Sequence, residues 1–347
     1  MKSFYTGKRI LVTGGAGSIG KEIVRQLASF EPLVIRIFDI NEEAMFFFQE
    51  ELSDYSFKNF RFLIGDIRDK NRIMFALEDI DIVFHTAALK HVPLCEFNPF
   101  EAIKTNILGT QNVIECCLKA NVEKMVHIST DKAINPSSVM GSTKMLSEKL
   151  ISSSLFLKGN KRTVISSVRF GNVLGSSGSI LPAIKNQIKQ NGKVKLTHPE
   201  MTRFIMTIPQ AVELVLTACK MAIGGEVFVL KMPILRIVDL ITAIIEEYSH
   251  DLGKNPEDIS IDEIGIRPGE KLHELLVTEE EAITALETEK HFIIIPQGSK
   301  YIPNEYIGPE YVYDGAKNTE ILDYSSNSKN HQFLSKEDIK KLLREID

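Results

Sequence analysis

The chain is 347 residues long, 44% hydrophobic and 25% charged, enough apolar material to bury a large core in one large domain or two modest ones and too much for global disorder. Its 41 basic and 46 acidic residues leave a formal net charge of −5 with no long single-sign block, which argues against a nucleic-acid partner and means that an anionic ligand needs a local basic pocket. Cys95, Cys116, Cys117 and Cys219 form no C-x-x-C pair, no run approaches a membrane span and the first residues lack a signal-peptide stretch, so the expectation is a soluble, cytoplasmic protein without metal, disulfide framework or membrane insertion.

Lys8 to Thr13 is a short β-like run, followed by Gly14-Gly-Ala-Gly17-Ser18-Ile19-Gly20 and by Lys21 to Ala28, whose apolar spacing is helical. Glycines in a strand-to-helix turn allow a tight bend, close approach of backbone to a pyrophosphate and anion binding at the helix start. Further β-prone runs at 33–38, 60–64, 82–85, 125–128 and 163–169 alternate with mostly helical stretches. That alternation predicts an α/β protein with a Rossmann-type doubly wound parallel sheet, reaching to about residue 175. Asp39 ends the second run nineteen residues after Gly20, where a carboxylate accepts hydrogen bonds from a ribose 2′-hydroxyl and favours NAD over NADP. Arg36, the basic residue a 2′-phosphate would want, falls inside the strand. Asp66, at the end of the third run, is either a partner for an adenine amino group or a helix N-cap.

Ser129-Thr130-Asp131-Lys132 follows the fifth run and leads through Asn135-Pro136-Ser137-Ser138 into Met140 and Lys144. A hydroxyl, a carboxylate and two amines are crowded at the carboxyl end of a strand, the edge where open α/β sheets bind ligands. The alternative is an ordinary turn with a solvated lysine. Past Gly175 the pattern is less regular, with helices around 183–189 and 208–221 and a strand at 226–230. The polar stretch Tyr301 to Asn330 reads as a long surface loop, and Ser335 opens a terminal helix with a capping-box pattern. The expected division is a nucleotide-binding domain over 1–175, a smaller mixed α/β and mainly substrate-binding region over 176–300, and a loop and helix over 301–347.

Thr13 to Gly20, Gly65-Asp66-Ile67, Thr86-Ala87-Ala-Leu-Lys90-His-Val-Pro93, Asn106 to Thr110 and the Ser129-to-Lys144 block together resemble the extended short-chain dehydrogenase/reductases. Arg169 to Ser179, with Asn172 inside it, Thr197 to Arg203, and Gly265-Ile-Arg267-Pro-Gly-Glu270-Lys-Leu-His-Glu274 narrow the similarity to bacterial and archaeal UDP-N-acetylglucosamine 4,6-dehydratases, in their short soluble form. The resemblance covers roughly residues 7 to 280. It implies NAD held by Gly14, Gly17, Ser18, Ile19, Gly20, Asp39, Asp66, Ile67, Ala87 and Lys144, and a UDP-N-acetylhexosamine held by Lys90, Asn172, Arg203, Arg267 and Glu270. A homo-oligomer is also expected. Each arginine alone has a surface salt bridge as its alternative, and Glu270 either holds a ribose hydroxyl or pairs with Arg267.

A 4,6-elimination moves hydride from carbon 4 to the nicotinamide, takes a proton from carbon 5, expels the carbon 6 hydroxyl as water and returns the hydride to carbon 6. It needs one acid and one base side by side. The resemblance makes Asp131 the acid, Lys132 the base and Thr130 a hydrogen-bond partner for the oxygen on carbon 4. Lys132 as base requires that its pKa fall. The superfamily's tyrosine base, four residues before Lys144, is here Met140, and a thioether transfers no proton. Two rivals follow: a UDP-sugar 4-epimerase, which needs no such acid and base pair, and a non-catalytic nucleotide-binding scaffold.

Overall fold

The computed structural model describes residues 1–176, 178–296, 309–327 and 332–346. Six strands alternate with helices in the first half: β1 (Arg9–Thr13), β2 (Val34–Asp39), β3 (Phe60–Ile64), β4 (Ile82–His85), β5 (Lys124–Ile128) and β6 (Val164–Arg169). They lie side by side in the order β3-β2-β1-β4-β5-β6, every pair parallel. The order reverses between β1 and β4, and such a reversal opens a crevice at the carboxyl ends of the strands. The strands read as nearly continuous apolar runs because helices cover both faces; β4 is buried at all four positions. This is a Rossmann-type sheet, as the alternation in the sequence requires.

The chain beyond residue 175 goes back and forth between this sheet and a second body. Strand Val227–Leu230 extends the sheet in parallel beside β6, and His291–Ile294, Ala285–Glu287 and Lys317–Asn318 continue it antiparallel. Helix Ile208–Met221 packs on the helix that follows the glycine loop, Ser18–Ala28, so it belongs with the nucleotide fold. The second body is a three-stranded sheet of Asn172–Leu174, Thr202–Thr207 and Ile234–Arg236. It shares a core with helices Ile180–Asn191, Ile237–Tyr248 and Lys336–Arg344 through Leu181, Ile184, Leu240, Ile244, Ile339 and Leu343.

The surface loop expected over 301–330 falls partly outside the described residues. Its described part, 309–327, is instead tied down. Tyr313 donates its hydroxyl to the buried carboxylate of Glu226 at 3.1 Å, Tyr324 is buried, and Tyr324–Ser325 pairs antiparallel with Leu275–Val277. Its tyrosines, each an apolar ring with one polar tip, are what carry it into the core. The terminal helix is capped reciprocally by Ser335 and Asp338.

Candidate active site

The glycine loop is shaped by close contact. Gly14 has φ +67, and a Cβ there would lie 2.6 Å from the amide nitrogen of Ala87 in the loop after β4. Thr86 locks the two loops by donating its hydroxyl to the carbonyls of Thr13 and Gly14 at 2.8 and 3.0 Å. Gly17 is the N-cap of helix Ser18–Ala28, which has neither a side-chain cap nor an acidic residue in its first turn. A helix start with no side-chain cap and no acidic residue beside a glycine loop suits an anion. Asp39 ends β2 and accepts from the Ala16 and Asn41 amides, both at 3.0 Å, which aims its carboxylate along the loop. Arg36 is turned away and donates to the carbonyls of Ala76 and Glu78. Asp66 is not a helix N-cap; Asp69 is. Asp66 instead binds Arg68, whose hydrogen bonds outweigh burial and lower its pKa, and Ile67 packs under Gly109.

At the carboxyl end of β5 the chain makes one 3₁₀ turn, Asp131–Ala133, capped by Thr130. The Thr130 hydroxyl donates to Asp131 Oδ1 at 2.6 Å, and Lys132 Nζ contacts Asp131 Oδ1 and Oδ2 at 3.1 and 3.3 Å. Lys132 Nζ also reaches Glu274 Oε1 at 3.3 Å, and Arg203 Nε meets the same oxygen at 3.2 Å. Two carboxyls and two cations therefore form one knot in which Asp131, Glu274 and Arg203 are buried and Lys132 is partly exposed. Burial favours neutral Lys132, but Asp131 and then Glu274 override it and push the ammonium pKa up, with Arg203 opposing them. This reverses the fall that the base role requires and favours the charged form of Lys132. Asp131 is held low against burial by the Lys132 charge.

Lys144, on helix Val139–Leu157, is buried and donates to the Ile128 carbonyl at 2.5 Å and to His127 Nε2 at 2.9 Å. Burial lowers its pKa to about 8. His127 is kept neutral by burial and by the Lys144 charge; with Nε2 accepting, its Nδ1 carries the proton and donates to Ser167 Oγ at 3.1 Å. Met140 is buried in a small apolar cluster with Cys95 and Ala102, so its side chain is a packing element.

The proposed substrate residues divide. Asn172 starts a strand of the second body and its Oδ1 is buried without a hydrogen-bond partner. Lys90 is exposed after β4, its pKa lowered by partial burial. Arg203 is not an open fork for a diphosphate, because Nη1 donates to the carbonyls of Thr202 and Leu272 while Nε faces Glu274. Arg267 is exposed and pairs loosely with Glu270 at 3.9 Å, the alternative noted for both. Their turn nevertheless sits over the site: Ser137 donates to the Gly269 carbonyl at 2.9 Å and Lys271 to that of Ile134.

Sequence reasoning missed Glu274 and Asn106. Asn106 lies in a π-helical stretch, Ile103–Gly109, and clamps the loop after β4 by bonding both the amide and the carbonyl of Leu89 and the Thr143 hydroxyl. A π-bulge is itself a frequent mark of functional sites, but it has no signal in one sequence. Among the described residues no His/Cys/Asp/Glu group could hold a metal ion, and no helix is long and apolar enough to cross a membrane.

Residues 10–296 match the family model described as polysaccharide biosynthesis protein. An uncharacterized membrane protein of Methanocaldococcus jannaschii is 54% identical over all of this chain and 98% of its own length. A UDP-N-acetylglucosamine 4,6-dehydratase (inverting) of Campylobacter jejuni is 40% identical over 84% of each chain, and a UDP-glucose 4-epimerase of Rickettsia bellii 37% identical over 99% of this chain and 97% of its own. The crystal structure of Pen from Bacillus thuringiensis superposes with a TM-score of 0.88 at 43% identity, covering 99% of this chain and 98% of that one. The glycine loop, the Asp131–Lys132–Glu274 knot and Lys144 all fall inside the matched stretch, and the chain belongs to the polysaccharide biosynthesis protein family, related to UDP-N-acetylglucosamine 4,6-dehydratases.

Proposed function

We propose that the protein is an NAD-dependent UDP-N-acetylglucosamine 4,6-dehydratase that makes a 4-keto-6-deoxy sugar nucleotide for surface glycans. The observation that carries this reading is the contact of Asp131 with Lys132, one acid and one base from adjacent residues at the ligand-binding edge of the sheet. The cradle around Gly14 and the uncapped helix start fit a dinucleotide pyrophosphate, with Ser18, Ile19 and Gly20 behind it. Asp39 would hold the adenosine ribose, Asp66 and Ile67 the adenine, and Ala87 and Lys144 the nicotinamide half. NAD supplies the hydride acceptor for carbon 4 and the hydride donor for carbon 6.

The residues supply the proton chemistry. Oxidation at carbon 4 releases a hydroxyl proton. Thr130 donates to Asp131 at 2.6 Å, so accepting that proton while passing on its own leaves Asp131 protonated. Protonated Asp131 is the acid that the departing carbon 6 hydroxyl needs. The alcohol proton thereby resupplies the acid within the site, a route that uses no tyrosine at position 140. Lys132, as the free amine, takes the carbon 5 proton and later returns it. Asn172 with its unpartnered Oδ1, Lys90, Arg267 and Glu270 remain the residues proposed for the uridine diphosphate sugar; Arg203 serves the knot instead. A homo-oligomer is supported by the exposed Leu94, Phe97 and Phe100 on the outer helices over 92–102.

The epimerase reading is favoured by the Rickettsia relative, which matches nearly the full chain. Incubation with NAD and UDP-N-acetylglucosamine separates the two by mass. Loss of one water supports dehydration, whereas unchanged mass with a new carbon 4 epimer supports epimerisation. Neither product, with no transient reduced nicotinamide, leaves the scaffold reading.

A further inference from the structure

Glu274 lies far along the chain from Lys132, yet its Oε1 accepts from Lys132 Nζ at 3.3 Å and from Arg203 Nε at 3.2 Å. Its Oε2 is buried without a hydrogen-bond partner, and the residue is only 5% exposed. Its backbone is fixed from both sides: its amide donates to Ser326 Oγ and its carbonyl accepts from the Ser326 amide, each at 2.8 Å. A carboxyl buried this deeply, fixed this firmly and left with one oxygen unsatisfied is costly unless a proton visits it.

We propose that Glu274 is a positioning residue for a proton: it takes one from the Lys132 ammonium and so leaves the free amine that acts as base at carbon 5. The proposal rests on the dehydratase reading and deepens it. Above a pH of about 8 the resting site has Asp131 ionised, Lys132 charged and Glu274 ionised. The carbon 4 proton reaches Asp131 through Thr130, which removes the larger of the two charges holding the proton on Lys132. Lys132 then gives a proton to Glu274, takes the carbon 5 proton, and Asp131 gives its own to the leaving hydroxyl. When Lys132 reprotonates carbon 5, Glu274 hands its proton back. Every group ends as it began, and the net change is substrate to product plus water.

The cycle runs only while Glu274 starts empty. Burial first, and then the Asp131 charge, push its pKa up to about 8, with Lys132 and Arg203 working the other way. Lys271 also feels its charge, and His273, beside it in the chain, is kept neutral chiefly by burial. Below that pH a growing fraction of Glu274 is already protonated and cannot accept, so turnover should rise with pH through the region near 8.

The test compares wild type, Glu274→Gln and Glu274→Asp with UDP-N-acetylglucosamine and NAD in heavy water. Transient nicotinamide absorbance, deuterium entry at carbon 5 and water loss are read across pH 6 to 10. Glutamine keeps the acceptor oxygen but takes no proton. Its carbon 5 exchange and water loss should fall about 100-fold or more while reduced nicotinamide still forms, with aspartate recovering part of the rate. Normal exchange in Glu274→Gln beside an active wild type overturns the role of Glu274 and leaves the dehydratase reading standing. If Glu274→Gln does not fold, the wild-type profile decides, and a rate flat across pH 7 to 9 overturns the proposal. A wild type that neither reduces nicotinamide nor loses water overturns both.

Discussion

At the scale of single residues the site rests on contacts that substitution can separate. Asp39 is aimed by two backbone amides, so Asp39→Ala should remove the repulsion against a 2′-phosphate and narrow the preference for NAD over NADP, measured by titrating cofactor-free protein with each. Lys132→Ala should cut turnover by about 100- to 10,000-fold while UDP-sugar binding, followed by calorimetry, changes far less. Met140 packs against Cys95 and Ala102, and Met140→Leu keeps volume and polarity, so dehydratase activity should persist. Thr130→Val keeps the shape but deletes the hydroxyl next to Asp131, and formation of reduced nicotinamide should collapse. Asp131 and Lys132 were legible in the sequence because they are adjacent and follow a strand. Glu274 was not, because 142 positions separate it from Lys132 and only the closure of the Gly265–Glu274 segment over the site brings them together. The charge on Lys132 was equally out of reach, since it depends on that second carboxyl.

At the scale of elements, the joint between β6 and helix Val139–Leu157 is electrostatic. Arg169 is buried and forks onto Glu148 of that helix, at 2.6 and 3.0 Å, and onto Glu281, at 2.9 and 3.0 Å. Arg169→Met would strand these carboxylates and should cost about 3–5 kcal/mol in urea unfolding. Adding Glu148→Gln and Glu281→Gln should restore part of it. The strands β1 to β6 were readable because a sheet covered on both faces imposes unbroken apolar runs. The second body was not, since strands such as Asn172–Leu174 and Ile234–Arg236 are three residues long and carry no period. The tyrosines between 311 and 324 hide in a polar stretch because each pairs one hydroxyl with a distant partner, such as Gly224, Glu226 or Met232.

At the scale of the whole molecule, the nucleotide cradle and the proton knot are built from different lengths of chain. The cradle uses loops after β1, β2 and β4. The knot needs β5, the strand carrying Arg203, the segment ending in Glu274 and the strand Tyr324–Ser325 that holds it. Ser326 joins the last two, bonding Glu274 through its amide and hydroxyl and Thr202 through its hydroxyl at 2.7 Å. Ser326→Ala should therefore lower turnover several-fold and leave NAD affinity unchanged, checked by steady-state rates beside cofactor titration. Tyr324→Phe, which removes a hydroxyl bonded to both the amide and carbonyl of Met232, should cost about 1–2 kcal/mol in thermal or urea unfolding.

The clasp by Ser326 also sets an order in time. Chains emerge from the ribosome amino terminus first, and their early parts fold as they appear. The loops that cradle the nucleotide are complete once the loop after β4 has been made, but Glu274 lacks the Ser326 bonds that fix its amide and carbonyl until residue 326 has left the exit tunnel. A growing chain therefore acquires the means to bind a dinucleotide long before it acquires a fixed second carboxyl. Synthesis stalled between these two points should leave a nascent species that retains the nucleotide and turns over no sugar.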